Sequence, residues 1–375
     1  MKYIKRRYLM VFIIVLAVAL LAPAVAYAED EPLSIDAAVE LAQAKNPQVT
    51  SLKLQVDRAN ILRDDAADLV TFFSPGQLLV SPDGQMLVNN YEQLTIQLKS
   101  LKKQLDSEQR RVEKEVVSAY TGAVIAANDI KATRLSMEEM KQQARLYDLG
   151  HNIGMVSLYD HNTLLRGMEQ LEDRLDMQEK QYDSSIASLR GLLHKGTEWK
   201  PVLTSQPVIT KHPRQSLATE FVRATGQSVL VMGAQTAVEL ERIKVYWPNF
   251  VGQDAYMDEI QRNVKELDYE KTKRDMRSTV EELYLGMDAL EIQIGLSQKQ
   301  LEEKQRELKL RQLKYELGLV PLRSMQPGVE TLETAQNDVT RAQIDYNNLQ
   351  AKLAATKAYY GYITGQTVYS KLDWK

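Results

Sequence analysis

Four histidines, His151, His161, His194 and His212, are the residues best suited to proton transfer at neutral pH, and there is no cysteine. His151 and His161 flank a glycine-containing turn, and no carboxylate near them has metal-ligand spacing. Without cysteine there is no thiolate nucleophile, no disulfide and no acceptor for an N-terminal lipid. The sequence holds no Gly-x-Ser-x-Gly elbow, no phosphate-cradling glycine loop and no dinucleotide fingerprint. Carboxylates are plentiful but fall on charged helix faces, where ion pairing is their usual role. The expectation is no catalytic residue, no metal and no cofactor, and an enzyme ranks last among the function classes.

The chain that carries these residues opens with the pattern of an export signal. Lys2, Lys5, Arg6 and Arg7 precede an apolar run from Leu9 to Leu21, and Ala26-Tyr27-Ala28 has the small-x-small pattern of a cleavage site. Residues 1–28 are therefore expected to be a signal peptide, with an uncleaved anchor as the alternative, although a span needs about 20 apolar residues. The remaining 347 residues hold 43 basic and 50 acidic side chains without a basic block, so nucleic acid is not an expected partner.

The chain repeats itself. Residues 112–192 align without gaps on 276–356: Tyr120 and Gly122 meet Tyr284 and Gly286, Glu138-Glu139 meets Glu302-Glu303, and Ile153-Gly154-Met155-Val156 meets Leu317-Gly318-Leu319-Val320. Upstream, Gln48-Val49 meets Ser228-Val229 at an offset of 180 instead of 164, so the first copy carries 16 extra residues in between. Two structural halves follow, 29–200 and 214–375, joined by a linker at 201–213.

Each half reads as helix, interruption, long helix, tight turn, long helix. Val112, Val116, Ala119 and Ala123, then Met168, Leu171, Leu175, Gln178 and Tyr182, step by three and four. Met276, Val280, Leu283, Met287, Leu290 and Ile294, then Leu332, Ala335, Val339, Ala342, Tyr346, Leu349 and Leu353, do the same. A sustained 3.5-residue period marks a coiled-coil seam. Alanine, serine and glutamine in these seams bury little area each. Two packings remain open: an antiparallel bundle within one chain, and an oligomer in which helices also pack between chains. From Glu92 to Gly150 no proline intervenes over 59 residues, about 88 Å of helix.

Gly154 and Gly318 mark hairpin tips, with glycine supplying a left-handed cap. The other interruptions lie at 72–88 and 245–252. Pro82-Asp83-Gly84 between apolar runs is a turn signal, so a short β-hairpin is expected over 77–89, with a loop as the alternative. The second interruption, Val245 to Gly252, has room for one short strand or none. The fold class is all-α: two repeated coiled-coil hairpins with at most a short β-hairpin.

The run Leu33-Ser34-Ile35-Asp36-Ala37-Ala38-Val39-Glu40-Leu41, continuing to Asn46-Pro47-Gln48-Val49, resembles the opening of TolC-type outer-membrane efflux proteins. Tyr315-Glu316-Leu317-Gly318-Leu319-Val320 before a long heptad helix resembles that family's tip. The resemblance implies a homotrimer whose twelve-helix barrel forms a tunnel. It also implies partners: a periplasmic adaptor of the membrane-fusion type and an inner-membrane pump, with the outer membrane or cell surface at the far end. The family closes its entrance with a tyrosine before the tip glycine and aspartates after it. Tyr315 matches that tyrosine and Asp160 matches a first-half aspartate, while Ser324 and Pro327 stand where the second-half aspartates belong. The expected entrance tip is Gly154, Asp160, Tyr315 and Gly318.

The family also contributes four membrane strands per chain, and each needs about 9–11 residues. These interruptions are too short for that, so weak or absent outer-membrane insertion is expected. The leading expectation is an efflux or type I secretion conduit component in the cell envelope. The alternative is a non-conducting structural or adaptor coiled coil.

Overall fold

The computed structural model describes residues 31–72, 81–207, 215–246, 255–323 and 331–366. The leader at 1–28, His212, Ser324, Pro327 and residues 77–80 lie outside the described residues. Strand β1 (Glu31–Leu33) leads to α1 (Ile35–Lys45), α2 (Pro47–Phe72), α3 (Pro82–Asn152) and α4 (Leu158–Leu192). Strand β2 (Pro201–Leu203) then leads to α5 (Leu217–Gln227), α6 (Val229–Tyr246), α7 (Ala255–Glu316) and α8 (Leu332–Thr364).

The caps explain where helices begin. Ser34 accepts from Ala37 N and starts α1. Asn46 Oδ1 accepts from Gln48 N and Val49 N at 2.8 and 3.0 Å, and Pro47 opens α2 where its missing N–H costs nothing. Ser81 accepts from Gly84 N at 3.0 Å and puts Pro82 in the first turn of α3. This corrects the β-hairpin expected over 77–89: residues 82–89 are helix. Pro82 and Asp83 suit a helix start as well as a turn, because proline is pre-set for the first helical position and an acid favours the helix N-terminus. Relative to the second half, α2 runs six positions further and α3 begins nine earlier. The extra residues of the first half therefore lengthen a helical hairpin.

The two short strands pair in parallel, Glu31 with Pro201 and Leu33 with Leu203, so the expected linker at 201–213 opens with a strand. Buried Tyr120 on α3 fixes this pair. Its hydroxyl donates to Leu33 O and accepts from Ser205 N, both at 2.9 Å. The seam residues are inside as their spacing requires: Val112, Val116, Ala123, Met276, Val280, Met287 and Ile294 are buried. One core gathers α1, the start of α2, α3 and the end of α4; a second gathers α5, α6, α7 and α8.

The packing order is a single layer. Toward the tips it runs α4, α3, α8, α7, and toward the interruptions α2, α3, α6, α7. The extensive contacts of α4 are with α3, and neither α4 nor α2 packs substantially against α7 among the described residues. The helices therefore do not close into the antiparallel bundle left open by the heptad pattern. The layer keeps two edges, one on α2 and α4 and one on α7.

Candidate functional site

The first tip is built by two glycines with different jobs. Helix α3 ends at Asn152, and Gly154 turns the chain at φ +75°. Met155 N and Val156 N both donate to Gly150 O, at 2.7 and 3.2 Å. That return brings Val156 against Gly150, where a Cβ would meet Val156 Cγ2 at 2.6 Å. Ser157 caps α4: its Oγ accepts from Asp160 N at 3.1 Å and donates to Asp160 Oδ2 at 2.7 Å. The Asp160 carboxylate thus sits in the first turn of α4, beside the positive end of the helix. Next to it, His161 Nε2 lies 2.6 Å from Asp148 Oδ1, and the His151 and His161 rings stack with centroids 5.8 Å apart.

The second tip differs in shape. Gly318 turns the chain at φ +71°, with Gly318 N donating to Tyr315 O and Leu319 N to Lys314 O. Tyr315 stands at the end of α7, part-exposed. The sequence match runs gapless through the tips, yet α8 starts at Leu332, ten positions later than α4 does. The second half carries Pro327-Gly328 where the first has Thr163-Leu164, and both residues disfavour a helix interior. Just past the tip, Pro321 O and Leu322 O accept from Leu332 N and Glu333 N at the start of α8. Arg323 adds a two-point bond to Glu333 at 2.6 and 3.0 Å.

Gly154 and Asp160 therefore share one tip, Tyr315 and Gly318 the other. No hydrogen bond or ion pair joins these two pairs of residues among the described residues. Both tips are rimmed by exposed apolar side chains: Ile153, Met155 and Tyr159 on the first, Leu317 and Leu319 on the second. Among the described residues no group of histidines and carboxylates has the geometry to hold a metal ion, and no helix is long and apolar enough to cross a membrane.

The sequence did not reveal what ties the hairpins together. Arg341 on α8 pairs with Glu139 on α3 and donates to Ser136 Oγ, while Asn337 also bonds Glu139. Further along the same seam Asn128 donates to Asn348, and Asn348 to Asp129, at 2.9 and 2.8 Å. These partners are some 200 positions apart, and a local pattern carries no trace of them. A second unannounced feature is buried Glu113 on α3, whose carboxyl is pushed up to about 7 by burial against the opposing pull of Arg110.

No family model matches the sequence, and no curated protein matches it. Solved structures do. The CmeC outer membrane channel of Campylobacter jejuni is 14% identical with a TM-score of 0.59, over 88% of this chain and 85% of that one. The outer membrane protein VceC of Vibrio cholerae is 11% identical with a TM-score of 0.61, over 88% and 96%. The open-state MtrE outer membrane channel of Neisseria gonorrhoeae is 11% identical with a TM-score of 0.58, over 88% and 89%. The chain has the fold of a TolC-type channel protomer, as the opening motif and the tips implied.

Proposed function

We propose that three copies of this chain close into a hollow helical barrel that serves as a conduit for efflux or type I secretion. The observation that carries the reading is the pair of unsatisfied edges. On α2, Leu54, Ile61, Leu69 and Phe72 are exposed; on α7, Met257, Ile260, Val264 and Leu267 are exposed at steps of three and four. Edge residues of α7 lie opposite the seam facing α6 and α8, and among the described residues no helix of the same chain covers them. Two different apolar edges on one layer favour head-to-tail association, which closes into a ring when the rotation allows. Three is the number that the resemblance to TolC-type proteins implies.

In this reading the halves 29–200 and 214–375, joined through 201–213, supply equivalent parts of the wall. Gly154 and Gly318 form the turns of the entrance tip, and Asp160 and Tyr315 present their side chains there. An adaptor of the membrane-fusion type and an inner-membrane pump dock at that end, and the chain works without catalysis. In the same reading the expected leader at 1–28 directs the protein to the cell envelope, with the outer membrane or cell surface as its site. Between the flanking helix ends the interruptions leave nine and eight residues, 73–81 and 247–254. Two membrane strands need about twice that, so insertion is weak. The same shortness favours a second reading, a non-conducting coiled coil of the envelope.

Mass measurement in mild detergent at micromolar concentration tests the first reading, with a trimer expected. Monomers alone would overturn the conduit and leave the second reading. Stable conductance in planar bilayers would overturn the weak insertion.

A further inference from the structure

The groove between α2 and α3 has the wrong charge for a purely structural seam. It is an open groove of about 570 Å³, lined by Arg63 from α2 and by Leu98, Lys99, Lys102, Lys103 and Asp106 from α3. The three lysines occupy one face of α3 at spacings of three and four, where like charges repel. Lys103 Nζ donates to the neutral Gln227 Oε1 at 2.7 Å. Among the described residues Lys99 and Lys102 form no ion pair or hydrogen bond. Asp106, the carboxylate lining the groove, is engaged by Arg110 at 2.8 Å. Arg63 pairs through Nη2 with Asp64 at 2.9 Å, and its Nε is sealed from solvent without a partner.

The second half shows that the fold does not demand this. The matching groove between α6 and α7 is lined by Glu239, Arg242, Glu266 and Glu270, with Arg242 paired to Glu266 at 3.2 Å. At the offset of the repeat, Glu266 stands where Lys102 does and Glu270 where Asp106 does. One groove is acidic and bridged by an ion pair; its counterpart is basic, and Lys102 at the corresponding position has no carboxylate to answer it.

We propose that the α2–α3 groove binds a phosphate-bearing ligand, with Lys99 and Lys102 as the principal contacts and the Arg63 guanidinium adding positive charge beside them. Lysine binds phosphate as a mobile point charge, and several such charges around a groove suit a multiply charged anion. The phosphate comes either from a free small molecule or from the backbone of a polymer. The proposal is independent of the conduit reading.

The test is fluorescence anisotropy of labelled long-chain polyphosphate with the full-length protein at low salt. Pyrophosphate serves as competitor and K99Q/K102Q as the variant. Binding is expected, and the variant weakens it at least tenfold while its helix content by circular dichroism stays unchanged. K299Q/K309Q, which removes two exposed lysines of α7, binds as the parent does. Competition by pyrophosphate at equal phosphate concentration assigns a free small anion, and polymer binding that pyrophosphate leaves intact assigns a polymer; either supports the site. Absence of binding, or equal weakening by K299Q/K309Q, overturns it. So does a change in oligomer mass for K99Q/K102Q with unchanged anion affinity, which assigns the lysines to a subunit contact.

Discussion

Head-to-tail closure makes a prediction that other assemblies do not. Ile61 on the α2 edge is 63% exposed in the single chain and Leu267 on the α7 edge is 71% exposed. Fully burying such a side chain is worth about 1.5–3 kcal/mol, so covering the exposed part contributes roughly 1–2 kcal/mol per contact. Ile61→Asp removes that and adds the cost of desolvating an unpaired carboxylate, for a total of about 4 kcal/mol per interface. This is roughly a thousandfold in each association constant. Ile61→Asp and Leu267→Asp should each convert the micromolar assembly to monomers, with the helical circular dichroism signal retained. Mixed one to one, they should recover a dimer and nothing larger. The α7 edge of the first and the α2 edge of the second are both intact, and they make one good interface that cannot propagate. Mass photometry or native mass spectrometry reads this directly. Trimers from either variant alone, or a mixture that stays monomeric, would falsify head-to-tail closure through these edges.

Glu113 predicts a pH dependence. Its folded-state value of about 7 lies above the ordinary carboxylate value, so its contribution is fully present below about pH 4.5 and lost as pH rises through 7. Thermal stability from this group should fall between pH 5 and 8 by up to about 3 kcal/mol, and Glu113→Gln should flatten that part of the profile. Tyr120→Phe should cost about 1–3 kcal/mol in chemical denaturation, because it strands the buried Ser205 N–H and removes a donor from Leu33 O. Gly318→Val should cost about 1–2 kcal/mol through its left-handed backbone alone, since no atom lies within 4 Å of an added Cβ. Circular dichroism should then show nearly unchanged helix content, and a large loss would contradict a tip position. Arg341→Ala and Glu139→Ala should show a coupling of about 0.5–1 kcal/mol in a double-mutant cycle, as befits a part-exposed pair.

The sequence by itself determined the helices, their seams and most of their ends. Seven-residue periodicity placed Val112, Val116, Met276 and Val280 inside, and Ser34, Asn46-Pro47, Gly154 and Gly318 marked ends that local hydrogen bonding settles within a few residues. It pointed Pro82-Asp83-Gly84 to a β-hairpin turn, with a loop as the alternative, although the same residues also serve a helix start. The tertiary structure decided in favour of the helix, through the Ser81 cap and the packing of α2 along α3. Only the tertiary structure decided that four helices lie in one open layer, that Arg341 meets Glu139, and that one groove collects lysines where its counterpart collects glutamates. A helix's periodicity says which face is apolar but not which distant helix will cover it. That choice depends on contacts between residues some 200 positions apart, and in the proposed barrel another copy of the chain covers the α2 and α7 edges.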